Sequence, residues 1–181
     1  PLQADPRIWV AARAPVTFDY AVANDCDIMS WPLTMPFTEA EAYRGRLDDA
    51  KAKAANDWTG RWAMMRHSAV YANEADREAA MAAIRGVLGQ FGNLMMKKGE
   101  VHNGFPDAVP FEELEGNVRV EPKMLEENLM FGSPATVIEK LKGYERIGVD
   151  AFIYCASMGL GLAEPKRSLR LFIDEVMPEF A

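Results

Sequence analysis

The sequence predicts an α/β fold in which parallel strands alternate with helices. Apolar runs of strand length alternate four times with segments whose apolar residues recur at helical spacing. Such alternation favours parallel strands joined by helical crossovers. No linker divides the chain, so we expect a single domain over residues 1–181. Four βα units make either a small open sheet or half of an eight-stranded barrel.

The first βαβ segment occupies residues 7–32 and contains a strand, a helix and a second strand. The apolar run Ile8–Ala12 is followed by Pro15, which suits the first turn of a helix. Asn24 stands where that helix should end, because asparagine tolerates the left-handed conformation. The second strand covers residues 26–30. A strand that feeds directly into a helix leaves the helix N-terminus at the strand's carboxyl end, where it can bind an anion.

Two further units follow. Thr38-Glu39-Ala40-Glu41 has the pattern of a capping box and predicts a helix that runs to about Asn56. Residues 61–71 are the third strand candidate, and Asn73 should cap the helix after it. The predicted buried face of the first helix comprises Ala40, Tyr43, Leu47, Ala50 and Ala54, and that of the second Ala80, Ile84, Val87, Leu88, Phe91 and Met95.

Residues 99–132 show neither helical nor strand periodicity. Three prolines interrupt them, and only short helical segments are predicted, around Glu112 and Met124. A loop of this length is usually either a functional lid or disordered. Apolar side chains such as Phe105 and Phe111 favour the lid. We therefore expect a long irregular lid insertion at about residues 99–132.

The last unit starts at Ser133, an N-cap residue followed by Pro134 at the first helical position. Gly148 should end this helix, and Ala151–Cys155 is the fourth strand. The final helix should start at about Pro165. Its predicted core face comprises Leu169, Phe172, Ile173, Val176 and Met177.

Composition and charge exclude several kinds of partner. The net charge of −7 and the pI near 4.9 argue against binding to nucleic acid or to an anionic membrane. The two cysteines, Cys26 and Cys155, lie in apolar runs and favour free thiols in a reducing cytoplasm. His67 and His102, the only histidines, have no ligands at metal-binding spacing, so we expect no metal.

Four stretches together resemble one family. Ile28-Met29-Ser30-Trp31 closes a strand with Ser-Trp, residues 131–141 and 148–150 form a helix–strand joint, and residues 168–178 form a closing helix. In this order they resemble the carboxyl-terminal half of the bacterial luciferase-like flavin monooxygenases, whose fold is a TIM (β/α)8 barrel. The resemblance covers nearly the whole chain. It implies a half-barrel whose first four βα units are missing from this chain.

The resemblance also implies a flavin site. The backbone amides of Ala12 and Arg13 would hold the flavin phosphate, and Val10, Ser30 and Trp31 would lie against the isoalloxazine ring. The family often has a hydroxyl residue where this chain has Arg13, and a guanidinium is a good phosphate partner. The alternatives are an ordinary surface arginine at a turn and a tryptophan in the core.

A second group of residues is placed near the substrate or the lid: His67, His102, Phe105, Cys155, Ser157 and Met158. The simpler interpretations are a core histidine for His67, a solvated side chain for His102 and a plain βα turn for residues 155–158. The catalytic base would lie in the absent first half.

The implied activity is that of a flavin-dependent monooxygenase. Reduced FMN, supplied by a separate reductase, would react with O₂ to oxygenate an organic, apolar substrate, and this chain would be the phosphate-binding half. The family also contains deazaflavin-dependent oxidoreductases, and the sequence of this half does not distinguish them from the monooxygenases. A further alternative is a non-catalytic half-barrel that binds flavin or acts as an interaction subunit. We expect a partner, either the missing N-terminal half-barrel or a second copy, because a half-barrel exposes strand edges.

Overall fold

The computed structural model describes residues 6–96, 100–107, 109–110, 113, 121–156, 158–159 and 161–181. Its strands are β1 (Trp9–Ala11), β2 (Asp27–Ser30), β3 (Trp62–Val70), β4 (Val101–His102), β5 (Phe105–Pro106), β6 (Met130–Gly132) and β7 (Ala151–Cys155). Its helices are α1 (Pro15–Ala23), α2 (Phe37–Lys53), α3 (Glu74–Met96), α4 (Pro122–Asn128), α5 (Pro134–Arg146) and α6 (Ala163–Leu171). The chain forms two compact units. The first comprises Pro1–Arg66 and Lys140–Tyr154, and the second His67–Glu139 and Cys155–Ala181.

The first unit contains a parallel sheet. Strand β1 pairs with β2, placing Val10 opposite Ile28, and β2 pairs with β3, placing Met29 opposite Ala63. Strand β7 also pairs with β3. Helices α1 and α2 pack together through Phe18, whose ring centroid lies 6.1 Å from that of a fully buried tyrosine of α2. The predicted parallel βα architecture is confirmed.

Both predicted ends of α1 are confirmed, because the helix starts at Pro15 and has Asn24 as its C-cap residue. The left-handed conformation expected at Asn24 is wrong: Asn24 has φ −104°, and the left-handed residue is the next one, Asp25 (φ 48°). The side chain of Asp25 accepts hydrogen bonds from the N–H and hydroxyl of Thr59, and these distant contacts hold it there.

The predicted capping box is also wrong. Helix α2 begins at Phe37 with Pro36 as its N-cap, so Thr38 lies inside the first turn and caps nothing. The helix ends at Lys53 and not at Asn56. Proline lacks a side-chain acceptor, but its fixed φ suits the extended conformation of an N-cap residue. The predicted buried face of α2 is confirmed for Ala40, Tyr43, Leu47 and Ala50.

The second unit has its own core. The carboxyl end of β3 pairs in parallel with β6, placing Ser68 opposite Met130. Beside this pair, α3 and α4 bury a cluster that includes Ile84, Leu125, Leu129 and Phe131. Both caps predicted for this unit are confirmed, because Asn73 Oδ1 accepts the N–H of Asp76 at 2.9 Å and Ser133 Oγ accepts that of Thr136 at 3.3 Å.

The segment predicted to be an irregular lid contains regular elements. Strands β4 and β5 form an antiparallel hairpin across Asn103-Gly104, both with positive φ. Asn-Gly is a strong hairpin signal that the sequence analysis overlooked. Helix α4 confirms the helical segment around Met124, whereas Glu112 lies outside the described residues. Strand β6 was not predicted. It is fully buried, and its three residues are too few for the alternation typical of a strand to be recognised in the sequence.

The last helix begins at Ala163 and continues beyond Leu171 as one π-helical turn and a short 3₁₀ segment. Val176 is fully buried, whereas Leu169, Ile173 and Met177 are 42–50% exposed. The predicted core face is therefore wrong for these three residues. Within the described ranges, no helix has both the length and the apolar character needed to cross a bilayer.

Candidate functional site

The turn between β1 and α1 forms an uncapped helix N-terminus at the carboxyl end of a strand. The N–H of Ala12 donates to Met29 O at 2.9 Å, so the ladder extends one residue past β1 before the chain turns. Ala14 occupies the N-cap position and Pro15 follows it, so no side chain caps the helix. Pro15 has no N–H and that of Thr17 donates to Ala14 O at 3.0 Å, so Val16 carries the first-turn N–H that remains for an anion.

Arg13 lies exposed at this turn. Its Nε donates to the hydroxyl of Tyr43 at 3.1 Å, whereas its two terminal amino groups make no hydrogen bond or ion pair with any residue that the structure describes. This leaves a guanidinium that is oriented by one hydrogen bond and can offer two nitrogen atoms to an anion.

Arg46 places a second guanidinium at the same turn. Its Nη1 donates to the carbonyl of Arg13 at 2.6 Å, and its Cζ lies 5.0 Å from the ring centroid of Tyr43. Glu39 balances part of its charge at 3.2 Å. Arg46 was not among the site residues predicted from the sequence. The available signal was its position three residues after Tyr43, which places both side chains on one helix face.

Ser30 connects β2 to this turn through a buried hydrogen bond. Its side chain is fully buried, and its hydroxyl donates to Ala12 O at 2.9 Å and accepts the indole N–H of Trp62 at 3.1 Å. The hydroxyl thus fixes the carbonyl of Ala12, the residue at which the chain turns. The predicted contact between Ser30 and a flavin ring stays a prediction.

Val10 and Trp31 are the other two predicted ring contacts. Both are half-buried: Val10 lies in the middle of β1 and Trp31 follows the last residue of β2. The structure therefore brings all five residues of the first predicted group into the first unit, with Ala12 and Ser30 in direct contact.

Two residues of the second group meet in the second unit. Cys155 Sγ lies 3.6 Å from His67 Nδ1, joining the end of β7 to the middle of β3. Burial lowers the pKa of His67 below its usual value of 6.5, so the ring is neutral at pH 7. A neutral imidazole beside a thiol can accept or donate a hydrogen bond, depending on its tautomer.

The remaining residues of the second group lie elsewhere in this unit. His102 and Phe105 belong to the β4–β5 hairpin, where His102 Nε2 lies 3.2 Å from Asp107 and the side chain of Phe105 is 76% exposed. Met158 is buried in the core cluster around Ile84. Ser157 lies outside the described residues.

A cleft of about 340 Å³, open solvent included, lies at the carboxyl end of β3 in the second unit. Tyr71, Met158 and Ser168 are among its lining residues, and the hydroxyl of Ser168 accepts the N–H of Val70 at 2.7 Å. Burial, together with the nearby Glu126, raises the pKa of Tyr71 to about 12. Of these three residues, only Met158 was predicted to be a site residue; Tyr71 and Ser168 were assigned to a strand and a helix without a role in a site.

The sequence of the chain matches a known protein family. The family model of the luciferase-like monooxygenases matches residues 1–151. The chain belongs to this family. The flavin-dependent trigonelline monooxygenase, oxygenase component, of Acinetobacter baylyi is 30% identical over 179 residues, which make up 99% of this chain and 50% of that protein.

Two solved structures show the fold. The coenzyme F420-dependent tetrahydromethanopterin reductase from Methanopyrus kandleri is 16% identical with a TM-score of 0.66, covering 98% of this chain and 52% of its own. The oxygenating constituent of 3,6-diketocamphane monooxygenase from Pseudomonas putida, in complex with FMN, is 18% identical with a TM-score of 0.59, covering 96% and 49%. The chain spans about half the length of these proteins. The predicted fold, half of a (β/α)8 barrel, is confirmed.

Proposed function

We propose that this chain is the flavin-phosphate-binding half of a flavin-dependent monooxygenase. The observation that carries the proposal is the β1–α1 turn, where an uncapped helix N-terminus lies beside the available nitrogen atoms of Arg13. An anion at this turn would meet the backbone N–H of Val16, a helix dipole and two guanidinium groups. The relative in Acinetobacter baylyi is an oxygenase component that depends on flavin, which supports FMN as the ligand.

The residues present fit a phosphate group. Ala11 and Ala14 are exposed and have small side chains, which allow a ligand to approach the backbone at the turn. Ala12 is fully buried and its N–H donates to Met29 O, so it supports the turn and offers no amide to the phosphate. Arg13 has the planar donors that phosphate oxygens prefer, and Arg46 adds positive charge close by. The hydroxyl of Ser30 holds the Ala12 carbonyl in place, so the turn is formed before a ligand binds.

Reduced FMN with O₂ supplies the oxygenating chemistry when bound, and the chain's own residues bind and orient the reactants. Val10 and Trp31 would flank the ring with apolar surface that excludes water. In the second unit, the His67–Cys155 pair brings a neutral imidazole beside a thiol, and these groups would offer hydrogen bonds to a substrate.

The half-barrel requires partners in this proposal. Strand β1 is an edge in which Trp9 is 41% exposed, and every residue of β7 is partly exposed. Parallel sheets are usually buried, and an exposed strand edge is usually covered by a further strand or another element. The exposure of β1 and β7 therefore supports a second half-barrel that completes the sheet. A separate reductase would supply reduced flavin, as the name "oxygenase component" suggests for the relative. The free thiols of Cys26 and Cys155 support a cytoplasmic location.

Two alternatives have support of their own. The F420-dependent reductase that shares the fold supports a deazaflavin in place of FMN. The half-length match supports a half-barrel that binds flavin or another protein without catalysis. Binding of FMN but not of a deazaflavin would exclude the first alternative. Turnover with reduced FMN, once a complementary half-barrel is supplied, would exclude the second.

The test is a titration of the purified chain with FMN and with riboflavin, followed by flavin fluorescence. Because riboflavin lacks the phosphate, Arg13→Ala should weaken FMN binding about tenfold to a hundredfold and leave riboflavin binding unchanged. Arg44→Ala is the matched control, since Arg44 is a half-exposed arginine of α2 that pairs with Asp48 away from the turn. Equal losses for both ligands, or no binding of FMN by the wild-type chain, would refute the proposed phosphate site.

A further inference from the structure

We propose that Arg66 is a positioning residue that holds the β2–α2 loop, residues 31–36, in the conformation that presents Trp31. The importance of Trp31 rests on the function proposed above. The role of Arg66 in shaping the loop rests on contacts within the first unit alone.

Arg66 is a fully buried arginine in β3. Its Nε donates to the hydroxyl of Tyr144 at 2.8 Å, and its Nη1 donates to two backbone carbonyls of the loop, Leu33 O at 2.9 Å and Met35 O at 2.8 Å. Burying a guanidinium costs free energy unless its donors find acceptors. Here the acceptors are supplied by a loop and a helix, so the position of the guanidinium and the path of the loop depend on each other.

The loop has an unfavourable backbone conformation at the residue that Arg66 contacts. Leu33 has φ 54°, in the left-handed region that favours glycine, inside a turn closed by the N–H of Met35 donating to Pro32 O at 2.9 Å. A leucine in this region is strained and persists only where surrounding contacts hold it. The hydrogen bonds from Arg66 to both carbonyls are such contacts.

The loop is directly connected to the candidate site. Trp31 immediately precedes Pro32, and no residue separates it from the turn that Arg66 holds. Releasing the turn would therefore let Trp31 move relative to the end of β2. A lysine could not replace Arg66, because its single ammonium lacks the planar fork that reaches a hydroxyl and two carbonyls from fixed positions.

The experiment measures the loop and flavin binding separately. Hydrogen–deuterium exchange of the peptide that contains residues 31–36 should be at least tenfold faster in Arg66→Lys and Arg66→Met than in the wild-type chain. Both variants should bind FMN and riboflavin more weakly by the same factor, because Trp31 would contact the ring that the two ligands share. This equal loss differs from the FMN-selective loss expected for Arg13→Ala.

Leu33→Gly provides the rescue. Glycine adopts φ 54° without strain, so adding Leu33→Gly to Arg66→Met should recover part of the lost exchange protection and flavin affinity. Arg44→Met is the matched control, because Arg44 also donates to a main-chain carbonyl, Ile147 O at 3.4 Å, but does not contact the loop. It should leave both measurements unchanged.

A folded Arg66 variant with wild-type exchange in residues 31–36 would overturn the proposal. If both Arg66 variants fail to fold, the wild-type chain supplies the measurement. The N–H of Met35, which closes the turn by donating to Pro32 O, should exchange at least tenfold more slowly than in an unstructured peptide, and unprotected exchange there would equally overturn the proposal. If the wild-type chain does not bind flavin, the proposed function fails, whereas the exchange data still decide the role of Arg66.

Discussion

The hydroxyl of Ser30 offers the sharpest test of how the candidate site is built. Ser30→Ala removes the group that joins Ala12 O, at 2.9 Å, to the indole N–H of Trp62, at 3.1 Å. Both hydrogen bonds lie in the buried core of the first unit. The substitution leaves one acceptor and one donor without this partner and adds no compensating contact.

The expected loss follows from these two atoms. Leaving a buried polar group unsatisfied costs about 1–3 kcal/mol, so two of them should lower the free energy of unfolding by about 2–6 kcal/mol. For a chain of this size, a loss of about 3 kcal/mol lowers the midpoint of thermal unfolding by roughly 6–12 °C. The carbonyl of Ala12 would also be released, so FMN affinity should fall although Ser30 itself is buried.

The assay is urea unfolding of four proteins followed by circular dichroism: wild type, Ser30→Ala, Trp62→Phe and the double variant. Because Trp62→Phe removes the donor that Ser30→Ala leaves unpaired, the double variant should be less destabilised than the sum of the single ones. We expect a coupling of about 1–2 kcal/mol.

Ser133→Ala is the control for removing a serine hydroxyl. Its hydroxyl caps α5 at an exposed position, and its loss should cost about 0.5–1 kcal/mol. A Ser30→Ala variant within 0.5 kcal/mol of wild type, or a strictly additive double variant, would refute the assigned hydrogen bonds.

Three further predictions concern stability. Because the pKa of His67 is lowered in the folded state, the free energy of unfolding should fall as pH drops below 6.5. Urea unfolding at pH 7 and at pH 5.5 should therefore show a smaller loss of this free energy for His67→Gln than for wild type. Burial raises the pKa of Asp27, but hydrogen bonds from neighbouring donors outweigh it and leave that pKa lowered. The stabilisation by the Asp27 carboxylate should therefore be complete above its ordinary pKa of 3.8 and be lost as pH falls through its lower folded pKa. In urea unfolding, Asp27→Asn should lower the free energy of unfolding by about 2 kcal/mol at pH 7 and should make that free energy depend less on pH in acid. Gly60→Ala should lower the thermal midpoint by several degrees, since its Cβ would collide with the Trp58 ring, whereas Gly45→Ala, in open space on α2, should raise it slightly.

Each of these predictions has a clear contrary outcome. Parallel pH profiles for wild type and His67→Gln would mean that the buried histidine does not titrate as assigned. An Asp27→Asn variant that keeps both its neutral stability and its acid transition would exclude the buried carboxylate as a stabilising charge. Equal thermal midpoints for the two glycine variants would contradict the packing around Gly60.

The sequence by itself determined the features that depend on near neighbours. The start of α1 at Pro15 and the caps Asn73 and Ser133 were predicted correctly, because each cap bonds a backbone group three residues away. The alternation of strands and helices was also readable, since apolar periodicity reports which side of each element is buried. The Asn103-Gly104 turn had a local signal as well, although the sequence analysis overlooked it.

Only the tertiary structure decided the roles of groups whose partners are distant along the chain. Ser30 bonds residues 18 and 32 positions away, and Arg66 bonds residues 31, 33 and 78 positions away. The left-handed conformations of Asp25 and Leu33 are held by such contacts, which no local pattern encodes. Propensity reports the free energy of a segment alone, whereas the turn at the candidate site is shaped by hydrogen bonds that form only when the strands and helices pack together.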